Sequence, residues 1–250
     1  MAELKSDFFN KEEVRTHDSR LSYINTFLPK LVETAKEKTL GFKDHLESID
    51  PNEVRCIEDL QKIPVLRKSE LANKQKLFPP FGGFERTEEQ KTTHFFQSPG
   101  PIYEPGTRGL DWGRFAPFLY ATGVRKGMVL QNCFSYHLTP AGMMFEEGAL
   151  KIGTKVIPAG TGQTELQAKA ASFLKTNVYA GTPDFLFKIL EKGDELNLDL
   201  SNINIACVGG GPLFPDLRMA YSERGIKSVS YTHLRAHETK ANLVCRLLLE

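Results

Sequence analysis

The sequence lacks a charge bias, a paired cysteine motif and a long apolar run. Its 32 Lys and Arg residues against 31 Asp and Glu leave a formal net charge of +1 over 250 residues. That balance offers no electrostatic footprint for nucleic acid or for an anionic membrane surface. Only four cysteines occur, Cys56, Cys133, Cys207 and Cys245, and none forms a Cys-x-x-Cys pair. A zinc cage is therefore not expected, nor any other metal site, and each thiol reads as a small buried apolar group. No stretch approaches the ~18 consecutive apolar residues of a membrane span, and no N-terminal apolar run reads as a signal peptide. A cytoplasmic location is the resulting expectation. Internal repeats and low-complexity segments are missing. The six histidines are scattered, with no legible Ser-His-Asp arrangement.

What is present is ordinary globular material, 40% hydrophobic and 25% charged, with ample length to bury a core. Residues 1–76 form a charged helical lead, in which Leu21, Ile24, Phe27, Leu28, Leu31 and Val32 recur at helical spacing. Pro51 starts a new segment, and Ser69 is a candidate cap for a helix. Residues 77–112 are rich in Gly, Pro and aromatics and read as turns and short strands. From Asp111 onward helix and strand alternate. Helices are expected at 111–123 (with Pro117 bending or delaying the first), 139–151, 163–175 and 184–192. Strands are expected at 128–133, 154–158, 177–181 and 203–208, with another beginning at Ile226. Such alternation predicts an α/β fold, a mostly parallel sheet flanked by helices. Ligands of such sheets bind beyond the carboxyl ends of the strands, so the loops starting near 133, 158, 181 and 209 are the ones to watch.

Those loops carry a resemblance. Lys62-Ile63-Pro64-Val65-Leu66-Arg67-Lys68-Ser69-Glu70-Leu71 is similar to the "IPxTxKxDL" lead-in of the phenylacetate–CoA ligase family, a branch of the AMP-binding (adenylate-forming) superfamily. Gln131-Asn132-Cys133-Phe134-Ser135-Tyr136-His137-Leu138 resembles its "QNxYGYGL" segment, and the stretch from Ile157 to Glu165 its "IPxSGGNTE". Gly181-Thr182-Pro183 resembles "CTPS", and Val208-Gly209-Gly210-Gly211-Pro212-Leu213 resembles "xGAEPxS". The five occur in order at suitable spacing between about residue 10 and residue 228. The resemblance implies the N-terminal part of an acid–CoA ligase that activates an aryl, phenylacetate-like carboxylic acid with ATP and Mg²⁺ and passes it to coenzyme A. It also implies a homodimer for the full-length parent.

The resemblance implies site residues too. Gly209, Gly210, Gly211 and Pro212 would meet the adenine and the acyl group, glycine letting backbone approach a flat ring closely. The loop lacks full GxGxxG spacing, so a dinucleotide site is not expected. Phe134, Tyr136 and His137 would line the pocket for the acid, apolar walls with polar tips suiting an aromatic carboxylate. Ser98 and Gly100 would belong to the phosphate loop, expected as "SSGTTGKP". Here that stretch is Ser98-Pro99-Gly100-Pro101-Ile102-Tyr103-Glu104-Pro105. Proline offers no N–H, and Glu104 stands where the family has a lysine, so its charge would repel a polyphosphate. Thr164 and Glu165 read as helix-start chemistry, and Glu146 and Glu147 as solvated helix residues.

The last stretch, Val229 to Glu250, breaks the α/β rhythm and resembles a translated sequencing adapter. On that reading the natural sequence ends near Ser228, and the i, i+4 pair His233 and His237 carries no metal meaning. The family's later motifs would follow, so no catalytic residue is expected within this chain and the chain alone is expected to be inactive. A non-catalytic binding or assembly subunit, with the altered 98–105 loop as its trace, is the alternative.

Overall fold

The computed structural model describes residues 8–85, 92–98, 101–109 and 111–230. They fall into two compact units, one built mainly from residues 11–107 and one from 108 onward together with the short N-terminal stretch before Lys11.

In the first unit, α1 (His17–Lys38) starts at Thr16, whose hydroxyl accepts from the Ser19 N–H at 3.2 Å. Of its expected apolar stripe only Leu28 and Val32 are fully buried. Val32 joins Leu46, Val54 and Ile63 in a small core, below the α2 helix (Leu40–His45), itself capped by Thr39. The α3 helix (Lys68–Leu77) begins two residues earlier than a Ser69 cap implies. Arg67 takes the cap position, and the Glu70 carboxylate reaches back toward its N–H at 3.5 Å, which leaves Ser69 inside the first turn.

The Gly/Pro/aromatic stretch contains one antiparallel hairpin, β1 (His94–Ser98) with β2 (Ile102–Gly106). Ser98 stands opposite Ile102 and Phe96 opposite Glu104. Gln75 of α3, buried, completes β2 as a third strand would. Its Oε1 accepts from the Tyr103 N–H at 2.9 Å and its Nε2 donates to the Tyr103 carbonyl at 2.7 Å. The Phe96 ring lies across Gly106, where an added Cβ would come within 2.3 Å of Phe96 Cε2.

The second unit is the alternating part. Its elements are α4 (Phe115–Thr122), β3 (Val129–Asn132), α5 (Ala141–Ile152), β4 (Lys155–Ile157), α6 (Thr164–Phe173), β5 (Val178–Gly181), α7 (Pro183–Glu195), β6 (Ile205–Val208), α8 (Pro215–Glu223) and β7 (Lys227–Ser230). The strands form one sheet in the order β4-β3-β5-β6-β7, each pair parallel. Buried parallel strands need apolar side chains on both faces, and the period of two sorts them. Leu130, Val178, Ala180, Ile205 and Cys207 meet Leu119 of α4 and Phe145 and Ala149 of α5. Cys133, Tyr179, Ala206 and Val208 meet Ala168 and Ala171 of α6, Leu186, Ile189 and Leu190 of α7 and Tyr221 of α8.

Two boundaries differ from the sequence expectation. The helix expected from 111 starts at Phe115, because the Asp111 carboxylate accepts from the N–H groups of Phe115 (2.9 Å) and Ala116 (3.0 Å) and so caps it. Pro117 then falls in the first turn, where its missing N–H has no intrahelical partner to lose. The break placed at Val229 also moves. Val229 and Ser230 continue β7 opposite Cys207 and Val208, so the sheet runs two residues into the adapter-like stretch. His233, His237 and the rest of 231–250 lie outside the described residues. Among the described residues no helix is long and apolar enough to cross a membrane.

Candidate functional site

The strand order fixes where the site lies. From β3 the chain moves through α5 to β4 on one side, and from β5 it moves through α7 to β6 on the other. The connections part between β3 and β5, and this topological switch point opens a crevice at the strand carboxyl ends. The 133–139 and 181–183 loops begin on its two sides.

Backbone bonds draw the neighbouring loops to this edge. The Cys133 N–H donates to the Ala180 carbonyl at 2.6 Å, the Gly209 N–H to the Gly181 carbonyl at 3.0 Å, and the Gly160 N–H to the Asn132 carbonyl at 2.9 Å. Gly209 is buried in this seam. Gly210, with φ of +72°, turns the chain outward. A Cβ on Gly210 would lie 3.6 Å from Thr182 Cγ2 and 3.9 Å from Phe134 Cε1, and one on Gly211 would lie 3.6 Å from Pro183 Cδ. Residues 134, 182–183 and 210–211, from three separate loops, therefore surround one spot. Pro212 follows at the exposed rim.

Phe134 is held by stacking on Phe145 of α5, ring centroids 4.5 Å apart. Tyr136 points its hydroxyl to α5 instead of outward. That hydroxyl donates to Glu146 Oε2 at 2.7 Å and accepts from Asn132 Nδ2 at 2.8 Å. Burial first, and then the Glu146 carboxylate, hold the phenol well above its ordinary ionisation range. Asn132 Nδ2 also donates to the Gly142 carbonyl at 2.7 Å. Gly142 lets the loop come this close, since a Cβ there would sit 2.7 Å from the Ser135 carbonyl oxygen. Glu146 is thus an acceptor inside the site wall, and Glu147 accepts from the Gly109 N–H at 2.8 Å; neither is the simply solvated residue the sequence suggests. His137 is exposed, with its N–H on Ser135 Oγ at 3.1 Å.

On the opposite face lies a buried network that the sequence reading does not single out. Gln167 of α6 donates to the carbonyls of Gly160 (2.9 Å) and Gly162 (2.8 Å). Its Oε1 accepts from Gln131 Nε2 (2.9 Å) and Cys133 Sγ (3.0 Å). Tyr179, 1% exposed, donates its hydroxyl to the Thr182 carbonyl at 2.9 Å. Tyr221 of α8 donates to the Pro183 carbonyl. The available signal was polarity out of place, with Gln131 in an otherwise apolar strand and Gln167 beside Ala168 and Ala171 on the buried face of its helix.

The remaining expected residues stand in the other unit. Ser98 ends β1, and its Oγ is buried without a hydrogen-bond partner among the described residues. Gly100 lies outside the described residues. From His94 to Gly106 the sequence holds Pro99, Pro101, Pro105 and Glu104, and neither Lys nor Arg. Three positions without an N–H and a carboxylate make a poor cradle for a triphosphate. Among the described residues no cluster of His, Cys, Asp and Glu is placed to hold a metal ion.

The fold is shared with solved CoA ligases. A solved 2-hydroxyisobutyryl-CoA ligase, crystallised with 2-HIB-AMP and CoA, superposes with a TM-score of 0.83 over 92% of this chain and 57% of that one, at 19% identity. In sequence, the chain is similar to curated phenylacetate–coenzyme A ligases. The enzyme from Aromatoleum evansii is 26% identical over 193 residues, 73% of this chain and 43% of that protein. The enzyme from Thermus thermophilus is 26% identical over 215 residues, 81% of this chain and 47% of that protein. The chain spans about half the length of the curated relatives it matches. No protein-family model matches it.

Proposed function

We propose that the crevice between β3 and β5 is the adenylate and acyl end of an acid–CoA ligase, the parent enzyme activating an aryl carboxylic acid with ATP and Mg²⁺ and passing it to coenzyme A. The observation that carries this reading is the meeting of Phe134, Thr182 and Gly210 within about one van der Waals contact of a common spot. An aromatic wall, a backbone left bare by glycine and a tight Thr-Pro turn suit a flat ring joined to a small polar ester. Gly210, Gly211 and Pro212 would face the purine, with Gly209 anchoring their loop from within, and Phe134 with the 135–137 turn would face the acid. The Tyr136 hydroxyl is already committed to Glu146 and Asn132, so Tyr136 would contribute its ring edge. ATP brings the phosphoryl chemistry, and coenzyme A the acceptor thiol. The residues fit the adenosine and acyl parts. They do not fit the triphosphate at the 98–105 hairpin.

The test is calorimetric titration of the chain with a phenylacetyl-sulfamoyl adenosine, a stable mimic of the aryl acyl-adenylate. Binding is expected, and Gly210→Asn should weaken it by more than about tenfold. Asparagine tolerates the positive φ while filling the space beside Thr182 and Phe134. Absence of binding by the unaltered chain, or an indifferent Gly210→Asn, would overturn the assignment.

A second reading is favoured by the hairpin itself. With Glu104 in place of a cation and no Lys or Arg from 94 to 106, a non-catalytic relative that keeps the crevice as a binding site would look the same. Acid-dependent pyrophosphate release by the full-length parent separates the two.

A further inference from the structure

We infer that Gln167 and Tyr179 are positioning residues that hold the site loops from beneath by capturing their backbone carbonyls. The Gly160 and Gly162 carbonyls turn onto Gln167 Nε2, and the Thr182 carbonyl turns onto the Tyr179 hydroxyl. Both side chains are buried, and each is itself fixed. Gln167 Oε1 is gripped by Gln131 and Cys133, and Gln131 Oε1 accepts from Thr176 Oγ1 at 3.3 Å. Tyr179 packs so tightly on Gly181 that a Cβ there would lie 2.3 Å from its hydroxyl oxygen. A loop on the surface of a sheet would ordinarily satisfy such carbonyls with water. Here the interior takes them, so each loop has one seated conformation and its remaining polar groups are left to the crevice side.

This arrangement explains why polar side chains occupy core positions. A buried amide or phenol is stable only when its donors and acceptors are matched, and these are matched by the loops that surround the crevice. The layer also spans the switch point. Gln131 and Cys133 lie on β3 and its loop, Gln167 reaches the loop after β4, and Tyr179 reaches the loop after β5. The loops on both sides of the crevice are therefore held from one connected face of the sheet.

Two substitutions remove the captures with little change of shape. Tyr179→Phe deletes one oxygen, and Gln167→Met keeps length while losing the amide. The first measurement is amide hydrogen exchange of the full chain. Tyr179→Phe should raise exchange at Gly209, whose N–H is held on the Gly181 carbonyl beside Thr182, and Gln167→Met should raise it at Gly160, whose N–H is held on the Asn132 carbonyl, each by at least about tenfold, the equilibrium worth of one hydrogen bond. Amides of Leu130, Val178 and Ala206 within the strands should follow only the global unfolding midpoint. A residue that merely supports the fold would lower protection uniformly across strands and loops, and that result would overturn the inference. So would unchanged exchange in the loops. If Gln167→Met does not fold, Tyr179→Phe decides alone.

The second measurement rests on the proposed function. Each variant should bind the phenylacetyl-sulfamoyl adenosine about tenfold more weakly than the unaltered chain. If the unaltered chain binds none, the functional assignment fails while the exchange result still judges the positioning role. If the variants show loosened loops and full affinity, the positioning role in binding is wrong and the assignment stands.

Discussion

Single residues set the shape of the crevice, and glycine is the most exposed of them to test. Gly181 ends β5 directly under Tyr179, and any side chain there meets both the phenol oxygen and Cys133. Gly181→Ala is expected to destabilise the chain by about 1–3 kcal/mol, the usual cost of overpacking, seen as a lower urea midpoint with an unchanged denaturant slope. The thiols make a second residue-scale prediction. Burial raises Cys133 from 9.0 to about 12 and Cys207 from 9.0 to about 11. In both cases the folded value lies above the unfolded one. The stabilisation is therefore complete below the unfolded value and is lost as pH rises toward the folded one. Between about pH 8 and about pH 10 each thiol should remove up to about 1.4 kcal/mol of folding stability. Urea midpoints across that window should fall, and the fall should be shallower in a Cys133→Ala, Cys207→Ala double variant. An equal slope in both proteins would show that other groups govern alkaline unfolding.

At the scale of elements, legibility followed burial. Strands β3, β5 and β6 read directly from the sequence because a strand covered on both faces is a near-continuous apolar run. The loops at their ends followed, because a parallel sheet leaves its ligand loops at the carboxyl edge. The β1–β2 hairpin was legible only as turns and short strands, since its third partner is a side chain. Gln75 stands 28 residues before Tyr103, and no local pattern announces that pairing. The same holds for Gln131 and Gln167, 36 residues apart, and for Glu146, which looks solvated until the 135–136 turn folds back over Gly142. Polar pairs of this kind are tertiary facts. The hairpin's dependence on Gln75 can be measured. Gln75→Leu would leave the Tyr103 N–H and carbonyl without their partners, and a buried unsatisfied group costs about 1–3 kcal/mol. Proteolysis between β1 and β2 should quicken correspondingly in the variant. Unaltered cleavage would mean that the hairpin stands without α3.

At the scale of the whole molecule, the proposed function asks different things of two stretches of the chain. On the proposed reading the crevice would take an adenosine and an aryl acyl group. The 98–105 stretch, similar in position to a phosphate loop, has Pro99, Pro101 and Glu104 where backbone donors and a cation would serve a polyphosphate. Each charge-assisted contact to phosphate is worth roughly 1.5–3 kcal/mol, so losing two weakens binding on the order of a hundredfold. The chain is therefore expected to hold the phenylacetyl-sulfamoyl adenosine about a hundredfold more tightly than Mg-ATP, and to release no pyrophosphate on its own when given phenylacetate. Glu104→Lys should narrow the gap by tightening ATP far more than the mimic, because the mimic carries no triphosphate for the new cation to meet. Parallel titrations of the two proteins with the two ligands measure this directly. Micromolar ATP affinity in the unaltered chain, with no response to Glu104→Lys, would show that the hairpin stays clear of the phosphates and that the charge argument is misplaced.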